Sequence, residues 1–131
     1  MKIPQDCRYT RDHEWTRLDD GIISVGITDY AQDKLGEIVF VELPSEHDVL
    51  RKDEPLGVVE STKNASDILS PVNGKVVEAN DLLEENPELI NADPYEDGWI
   101  AKIQPDDEDE VGGPMSADEY RDFIDSLEDD D

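Results

Sequence analysis

The sequence predicts a mainly β domain, a small barrel or sandwich, with a helix near its C-terminal end. Over residues 8–104, short runs of β-branched and aromatic residues recur at fairly even spacing, separated by turn-forming residues. Beyond residue 115 the period changes to that of a helix, with one apolar stripe formed by Tyr120, Phe123, Ile124 and Leu127. Many short strands followed by one amphipathic helix are typical of a barrel or sandwich that the helix covers.

The first half of the chain reads as three strands and a short helix. We predict strands over residues 8–18 and 21–27, separated by the turn signal Asp-Asp-Gly. Thr28 is a suitable N-cap for a helix over residues 29–35. The strand predicted over residues 37–43 is so apolar that we expect it to be covered on both faces.

The second half begins with a polar loop over residues 45–56. Asn73-Gly74 is a strong two-residue hairpin signal, and it predicts a hairpin that joins the preceding segment to a strand over residues 75–79. A short helical turn over residues 81–86 follows. Residues 91–103 predict a loop and then the last strand.

We expect residues 1–131 to form a single domain. Its core spans about residues 8–104, and a flexible acidic linker covers residues 105–115. The C-terminal helix is predicted over residues 116–128, where Ser116 and Glu119 have the spacing of a capping box.

The chain carries an extreme negative charge. Of its 131 residues, 36 are Asp or Glu and 11 are Lys or Arg, which gives a net charge of −25. Acidic chains with few aromatic residues are often disordered. Here, however, the apolar residues fall into patterned blocks such as IVFVEL. We therefore predict a folded domain with an acidic surface of the halophilic type, kept in solution at high salt by hydrated carboxylates.

The same charge argues against nucleic acid and anionic membranes as partners, because both require basic patches. Cys7 is the only cysteine, so no internal disulfide can form and nothing indicates an oxidising compartment. The chain starts without an apolar signal segment, and no run approaches the ~18 apolar residues of a membrane span. We expect a soluble cytoplasmic protein.

The sequence offers little for catalysis. His13 and His47 are the only histidines; we interpret the first as structural and the second as a solvated loop residue. One cysteine and two separated histidines cannot form a zinc site. The acidic run over residues 106–110 lacks the ligand spacing and the glycine of a calcium loop. No glycine-rich phosphate-binding motif occurs. We predict no catalytic residues and no metal site.

One lysine is placed as a displayed group. Residues 57–60 and 65–69 read as two strands, and the polar residues 61–64 predict a tight turn that holds Lys63 at the tip of a hairpin. Proteins that carry a covalently attached cofactor on a swinging arm present a lysine in this way. For a lysine on a hairpin alone, a solvated surface residue is the commoner interpretation, so the rest of the chain has to decide.

Five blocks of the sequence resemble the family of the glycine cleavage system H protein, a lipoyl carrier. They occur in the family's order and run over nearly the whole chain, and together they are highly specific. The lysine block alone would also suit other lipoyl and biotinyl domains. The blocks are YTRDHEW (9–15), VGITDYAQDKLGEIVFVELP (25–44), GVVESTKNASDILSPVNGKVVEAN (57–80), PELINADPYEDGW (87–99) and MSADEY (115–120).

The resemblance implies a barrel-sandwich hybrid fold of the lipoyl/biotinyl hammerhead type and lipoate bound covalently to Lys63. It implies a shuttle protein that is not itself an enzyme. The implied partners are a pyridoxal-phosphate glycine decarboxylase that loads the aminomethyl group and a tetrahydrofolate-dependent aminomethyltransferase that removes it. A dihydrolipoamide dehydrogenase and a lipoyl ligase or transferase complete the set.

The resemblance also implies a surface cleft that shelters the loaded arm. Glu14 and Asp67 match acidic positions of that cleft, where their charge would hold the ammonium group of the cargo by a charge-assisted hydrogen bond. Asp12 is a third candidate, at a position where the family commonly has a small hydroxyl residue. Beside the lysine, Thr62 and Asn64 replace an apolar residue and an alanine, a change that we expect to slow a lipoyl ligase without removing the attachment point.

Other functions stay open at this point. A docking module, or a relay that hands lipoyl groups to other complexes, would share these motifs but would not stimulate glycine–bicarbonate exchange by the decarboxylase. A lipoyl domain of a 2-oxo acid dehydrogenase fits less well, because such domains lack the blocks at residues 29–44 and 94–99. A biotin carrier normally has methionines beside the lysine, where this chain has Thr62 and Asn64.

Overall fold

The chain folds into two antiparallel sheets with a few short helices, as described by a computed structural model. The structure describes residues 1–107, 109–110 and 112–129, without the side chains of 128 and 129. In chain order the elements are β1 (Arg8–Tyr9), β2 (Glu14–Asp19), β3 (Ile22–Ile27), α1 (Asp29–Leu35), β4 (Ile38–Glu42), β5 (Val49–Leu50), β6 (Pro55–Ser61), β7 (Ala65–Leu69), β8 (Gly74–Ala79), α2 (Leu82–Glu85), α3 (Leu89–Ala92), β9 (Ala101–Pro105) and α4 (Ala117–Asp129).

The two sheets share one main core. The larger sheet has six strands in the order β1-β2-β3-β9-β8-β5, and the smaller has three in the order β4-β6-β7. Successive side chains on a strand point to opposite faces, so each strand contributes alternate residues to the core. Val25 and Ile103 from the larger sheet meet Val59 and Ile68 from the smaller one, and all four are at most 1% exposed. The predicted mainly β fold with short helices is confirmed.

The single strand predicted over residues 8–18 is wrong. This segment forms the hairpin β1–β2, in which Tyr9 lies opposite Trp15. The chain turns back because His13 takes a left-handed backbone conformation, with φ at 68°, and its amide donates to the Thr10 carbonyl at 3.2 Å. Neither residue is a strong turn former, so the residue types in this segment did not indicate the turn.

The strand predicted over residues 37–43 exists as β4, but it is not covered on both faces. Ile38 and Val41 are buried, at 2% and 4% exposure, whereas Val39 and Phe40 are each 50% exposed. The pairing of β4 with β6 contains a bulge between Ile38 and Phe40. A bulge adds one residue to a strand and redirects the side chains around it. The apolar run therefore has an exposed part.

The hairpin predicted at Asn73-Gly74 is also wrong. β7 belongs to the smaller sheet, whereas β8 starts at Gly74 and pairs in the larger one. Asn73 instead accepts a hydrogen bond from the Lys52 amide through its side-chain oxygen, at 2.7 Å. A side chain at position 74 would clash with the Gln104 carbonyl, so close strand approach requires glycine there. The dipeptide marks a crossing between sheets.

Two short elements were not predicted. The loop expected over residues 45–56 contains β5 and the start of β6. The helix α3 (Leu89–Ala92) overlaps the first two residues of the loop predicted from residue 91. Both β5 and α3 are two to four residues long, which is too short to show a period.

The predicted helix caps are confirmed. Thr28 accepts a hydrogen bond from the Ala31 amide at the start of α1. At α4, the Glu119 amide donates to the Ser116 hydroxyl at 3.2 Å, and the Ser116 amide donates to the Glu119 carboxylate at 2.9 Å, which completes the capping box.

The apolar stripe of α4 packs on the N-terminal hairpin. Tyr120 is fully buried, and its ring stacks on Tyr9 with centroids 4.7 Å apart. The preceding acidic linker is not flexible throughout, because Gly113 is buried against Tyr9 and its amide donates to the Thr16 hydroxyl at 3.1 Å. Residues 108 and 111 of that predicted linker lie outside the described residues.

The surface carries far more acids than bases. Arg17 forms ion pairs with Asp6 at 2.9 Å and with Glu96 at 3.7 Å, and Lys102 pairs with Glu78 at 3.8 Å. Exposed pairs of this kind contribute only about 0–1 kcal/mol each. The 36 acidic residues outnumber the 11 basic ones by 25, so most of the negative charge is not neutralised within the chain. The folded chain therefore repels itself unless salt screens the charge.

We expect the fold to require high ionic strength. Screening shortens the Debye length from about 10 Å at 0.1 M to about 3 Å at 1 M salt. Circular dichroism should show the β spectrum and a high melting temperature in about 2 M KCl, where screening is strong, and a large loss of both at low salt. NaCl of equal ionic strength is the control, since screening does not distinguish the two salts. Equal melting temperatures at low and high salt would contradict this account.

Candidate functional site

The site is built on the hairpin of β6 and β7. The two strands pair antiparallel, with Glu60 opposite Ala65 and Val58 opposite Asp67. Residues 62–64 connect them, and Lys63 stands in the middle of this connection, exposed to solvent. The predicted hairpin with a lysine at its tip is therefore present in the structure.

The Ser61 hydroxyl organises the turn around the lysine. It accepts hydrogen bonds from the Lys63 amide at 3.1 Å and the Asn64 amide at 3.0 Å, and it donates to the Asn64 carbonyl at 3.2 Å. The Ser61 amide donates to the same carbonyl at 2.7 Å. One hydroxyl thus uses its full donor and acceptor capacity to fix the turn. The sequence placed Ser61 in the turn but did not indicate this role.

A second contact ties the turn to the body of the domain. The Thr62 amide donates to the Glu37 carbonyl at 3.1 Å, just before β4 begins. Glu37 follows Gly36, which ends α1 with φ at 88°. The side chain of Lys63 lies over this glycine, since a Cβ atom added there would be 3.6 Å from Lys63 Cε and 3.8 Å from Nζ. The backbone of the lysine is held while its amine stays at the surface.

Glu14 connects the β1–β2 turn to the far end of β7. It is only 2% exposed. The Thr10 hydroxyl donates to one carboxylate oxygen at 2.7 Å, and the Leu69 amide donates to the other at 3.4 Å. Burial raises the pKa of Glu14 to about 7, the two hydrogen bonds lower it, and the charges of Asp12 and Asp53 raise it further. At neutral pH this carboxyl is poised between its charged and neutral forms.

The other two predicted cleft residues are both exposed. Asp12 lies in the turn before β2, and its charge acts on Glu14. Asp67 lies in the middle of β7, where the core residue Ile68 follows it, so the two side chains point to opposite faces. Four strand rises, about 13 Å, separate Ala65 from Leu69. Lys63 and Glu14 therefore mark opposite ends of β7, with Asp67 between them.

Two residues near Glu14 were missed by the sequence analysis. The Thr10 hydroxyl positions the Glu14 carboxylate. A local signal existed, because Thr10 lies only four residues before Glu14 and the residues between them form a turn. Asp53 comes from the loop after β5, where its amide donates to the Ser70 carbonyl at 2.8 Å. Nothing in the sequence connects Asp53 with Glu14, because only the fold brings them together.

His13 is structural, as predicted, although it lies in the turn rather than in a strand. Its Nδ1 lies 2.8 Å from the Tyr120 hydroxyl, and its ring contacts those of Tyr30 and Phe123. Burial lowers its pKa. His47 is exposed in its loop, as predicted.

Among the described residues, no group of three or more His, Cys, Asp or Glu side chains could hold a metal ion. Burial raises the pKa of Cys7 to about 12, so very little of the reactive thiolate form is present at neutral pH. In the part of the chain that the structure describes, no helix is both long and apolar enough to cross a membrane.

The comparison with protein families decides the identity of the fold. The family model described as glycine cleavage H-protein matches residues 7–127. The chain belongs to the glycine cleavage H-protein family. The match covers the lysine hairpin, the Glu14 turn and most of α4 in one continuous stretch.

Relatives and a solved structure agree with this assignment. A glycine cleavage system H protein from Anaeromyxobacter sp. (strain K) is 50% identical over 98% of this chain and 100% of its own length. One from Oceanobacillus iheyensis is 51% identical over 95% and 98%, respectively. The crystal structure of a glycine cleavage system H protein from Mycobacterium marinum is similar with a TM-score of 0.85 and 40% identity, over 93% of this chain and 98% of that one. The predicted barrel-sandwich fold of this family is confirmed.

Proposed function

We propose that this chain is the lipoyl-carrying shuttle of a glycine cleavage system, with lipoate bound to Lys63. It takes the aminomethyl group from a pyridoxal-phosphate glycine decarboxylase to a tetrahydrofolate-dependent aminomethyltransferase, and it has no catalytic residues of its own. The observation that carries this proposal is Lys63 itself, exposed at the tip of a turn whose backbone is fixed. Membership of the H-protein family supports it.

The surroundings of Lys63 fit a covalently attached arm. Its side chain lies over Gly36, where an added Cβ atom would come into van der Waals contact with Lys63 Cε and Nζ. Within the described residues its amine makes no hydrogen bond or ion pair that acylation would break. When bound, lipoate supplies a disulfide that takes up the aminomethyl group and is restored by a flavin dihydrolipoamide dehydrogenase. An amide at Lys63 removes the charge of the amine, so the arm can lie on the protein surface.

We further propose that Glu14, Asp67 and Asp12 line the cleft that holds the cargo. Asp67 and the Leu69 amide lie along β7, on the way from Lys63 to Glu14. Burial removes the Glu14 carboxyl from water, which disfavours its charged form. An ammonium group that reaches Glu14 would compensate for this and favour the carboxylate. Asp53 adds negative charge at the same end of the strand. The acids would thus hold a cation at the end of the arm and leave the root of the arm free.

The remaining partners are the dehydrogenase and a lipoyl ligase or transferase that acts on the unmodified chain. The proposed compartment is the cytoplasm. A tethered arm raises the effective concentration of its cargo at each enzyme it visits, so one carrier can serve several active sites.

Glycine–bicarbonate exchange by the decarboxylase tests the shuttle function. The lipoylated wild-type chain should stimulate exchange at least about tenfold over the unmodified chain, a difference of about 1.4 kcal/mol. Lys63→Arg keeps the charge but cannot carry the arm, and it should give no stimulation. A second lysine variant, Lys75→Arg on β8, is the matched control and should behave as wild type. A chain that is lipoylated but does not stimulate exchange would favour the relay function.

The rate of cargo loss tests the cleft. Loaded protein loses its cargo by hydrolysis, and formaldehyde and ammonia are measured from pH 5 to 8. In the wild type we expect the loss to speed up as the pH falls and Glu14 is protonated, with a midpoint below its free pKa of about 7 because the bound cation lowers it. In Glu14→Gln the loss should be fast and should lack this midpoint.

Two further variants complete that experiment. Asp67→Asn should raise the rate of cargo loss above pH 7, since one charge that faces the cation is gone. Glu42→Gln, an exposed acid on β4, is the control and should leave the rate unchanged. Wild-type and Glu14→Gln profiles that coincide at every pH would overturn the cleft assignment and leave the carrier function standing.

A further inference from the structure

Two consecutive apolar residues of β4 are exposed side by side. Val39 and Phe40 each show half of their surface to solvent. The pairing with β6 explains why: Ile38 lies opposite Ser61 and Phe40 opposite the next residue, Glu60, so Val39 is the additional residue of a bulge. Ordinary alternation would have turned one of the two inward. Bulges are frequent next to functional sites, where they re-aim a side chain.

This exposed pair is unusual for the chain. Other large apolar side chains are also exposed, but among the described residues none of them is the sequence neighbour of another; they are Met1, Leu18, Val49, Val77 and Leu82. Single exposed apolar residues are normal on a protein surface and need no explanation. A valine beside a phenylalanine on a highly charged domain does need one, because two adjacent large apolar side chains are each half-exposed to water.

The pair lies beside the root of the arm. The Thr62 amide is bonded to the Glu37 carbonyl at 3.1 Å, so the lysine turn touches the chain two residues before Val39. Two strand rises correspond to about 7 Å. The exposed pair and the Lys63 turn therefore lie close together, at the end of β7 away from Glu14.

Charge surrounds this apolar pair. Glu37, just before β4, and Glu42, at its end, flank the pair, and Glu60 lies opposite Phe40 on β6; all three are exposed. A complementary partner surface has an apolar centre and a rim of Lys or Arg. At high salt the charged rim is screened, so the apolar centre gains importance for recognition.

We propose that Val39 and Phe40 dock the enzyme that acylates Lys63. The inference rests on the proposed function, since it presupposes that Lys63 receives lipoate. In the reaction, Lys63 Nζ attacks the carbonyl carbon of an activated lipoate, an acyl–nucleotide anhydride. The amide C–N bond forms, the C–O bond to the nucleotide phosphate breaks, and the protons of the amine pass to solvent or to a base of the enzyme.

The chemistry of this step selects the acylating enzyme as the occupant. Its active site has to reach the lysine amine itself, so its surface must close over the residues around the turn. The enzymes that act on the loaded carrier meet the far end of a long flexible arm, and the arm bridges the distance for them. A recognition surface directly beside Lys63 therefore serves the enzyme that works at the root of the arm.

The test compares the rates at which a lipoyl ligase modifies two double variants of the unmodified full chain. Val39→Ser with Phe40→Ser removes the exposed pair. Leu18→Ser with Val49→Ser is the matched control, since both residues are exposed apolar side chains on the larger sheet, whereas Val39, Phe40 and the strands that flank Lys63 belong to the smaller one. Purified ligase, lipoate and ATP are used in 1 M KCl, and the mass of the intact chain is followed over time.

We expect kcat/KM for the first double variant to fall at least tenfold, mainly through a higher KM, and kcat/KM for the control to stay within twofold of wild type. Val39→Ser with Phe40→Leu, which restores an apolar side chain at position 40, should recover most of the rate. Circular dichroism of each variant, and the rescue by leucine, separate a docking defect from a folding defect.

Equal rates for the two double variants would overturn the docking inference, while the proposed function stands as long as Lys63 of the wild type is modified. Normal acylation combined with reduced glycine–bicarbonate exchange would assign the pair to the decarboxylase and overturn the occupant proposed here. A wild-type chain that neither a lipoyl ligase nor a lipoyl transferase modifies at Lys63 would overturn the proposed function and the inference together.

Discussion

The hydrogen bond from the Thr62 amide to the Glu37 carbonyl joins the lysine turn to the rest of the domain. A carrier lysine must satisfy two opposing conditions: its amine has to be accessible, and its position has to be defined for the enzymes that recognise it. The bond to Glu37 and the hydroxyl of Ser61 hold the backbone, whereas the side chain of Lys63 stays outside. The backbone of Lys63 is thus held in place, while its side chain stays accessible.

The strands β6 and β7 that carry the turn have one buried and one exposed face. Ile68 on β7 and Val59 on β6 are buried and anchor the hairpin in the common core. Asp67 lies on the opposite, exposed face of β7, and the Leu69 amide two residues further on donates to Glu14. Glu14 is buried with only two donors, so its charged form is weakly stabilised and its pKa is raised to about 7. Under the proposed function, an ammonium group held beside Glu14 would stabilise the charged form of its carboxyl.

Local sequence patterns correctly predicted the helix caps and the Lys63 turn, because these features depend on residues close together in the chain. The capping residues Thr28 and Ser116 act where they were expected, because a cap requires only its own helix end. The turn at Lys63 was also found, since polar turn residues separate two strand-like runs. Asn73-Gly74 failed because a dipeptide favours a turn but does not specify to which sheet the next strand is added.

Other features depend on long-range contacts and had no local signal. The apolar run of β4 suggested burial on both faces, and only the register with β6 reveals the bulge at Val39. Asp53 and Glu14 are far apart in the sequence, and their proximity follows from the packing of the loop after β5 on the end of β7. The family resemblance supplied Glu14 and Asp67 as candidate cleft residues, and residue patterns alone would not have separated them from the other acids of the chain.

The central claim is that Lys63 carries lipoate, and the most direct measurement is mass spectrometry of the protein purified from its own cells. Intact mass gives the number of groups bound, and a peptide that covers residues 53–75 places the group. The account predicts one lipoyl group, on Lys63 and not on Lys75 in the same peptide. An unmodified Lys63 in cells with an active lipoylation pathway would contradict the carrier function, and Asn64 would then be the first residue to revert.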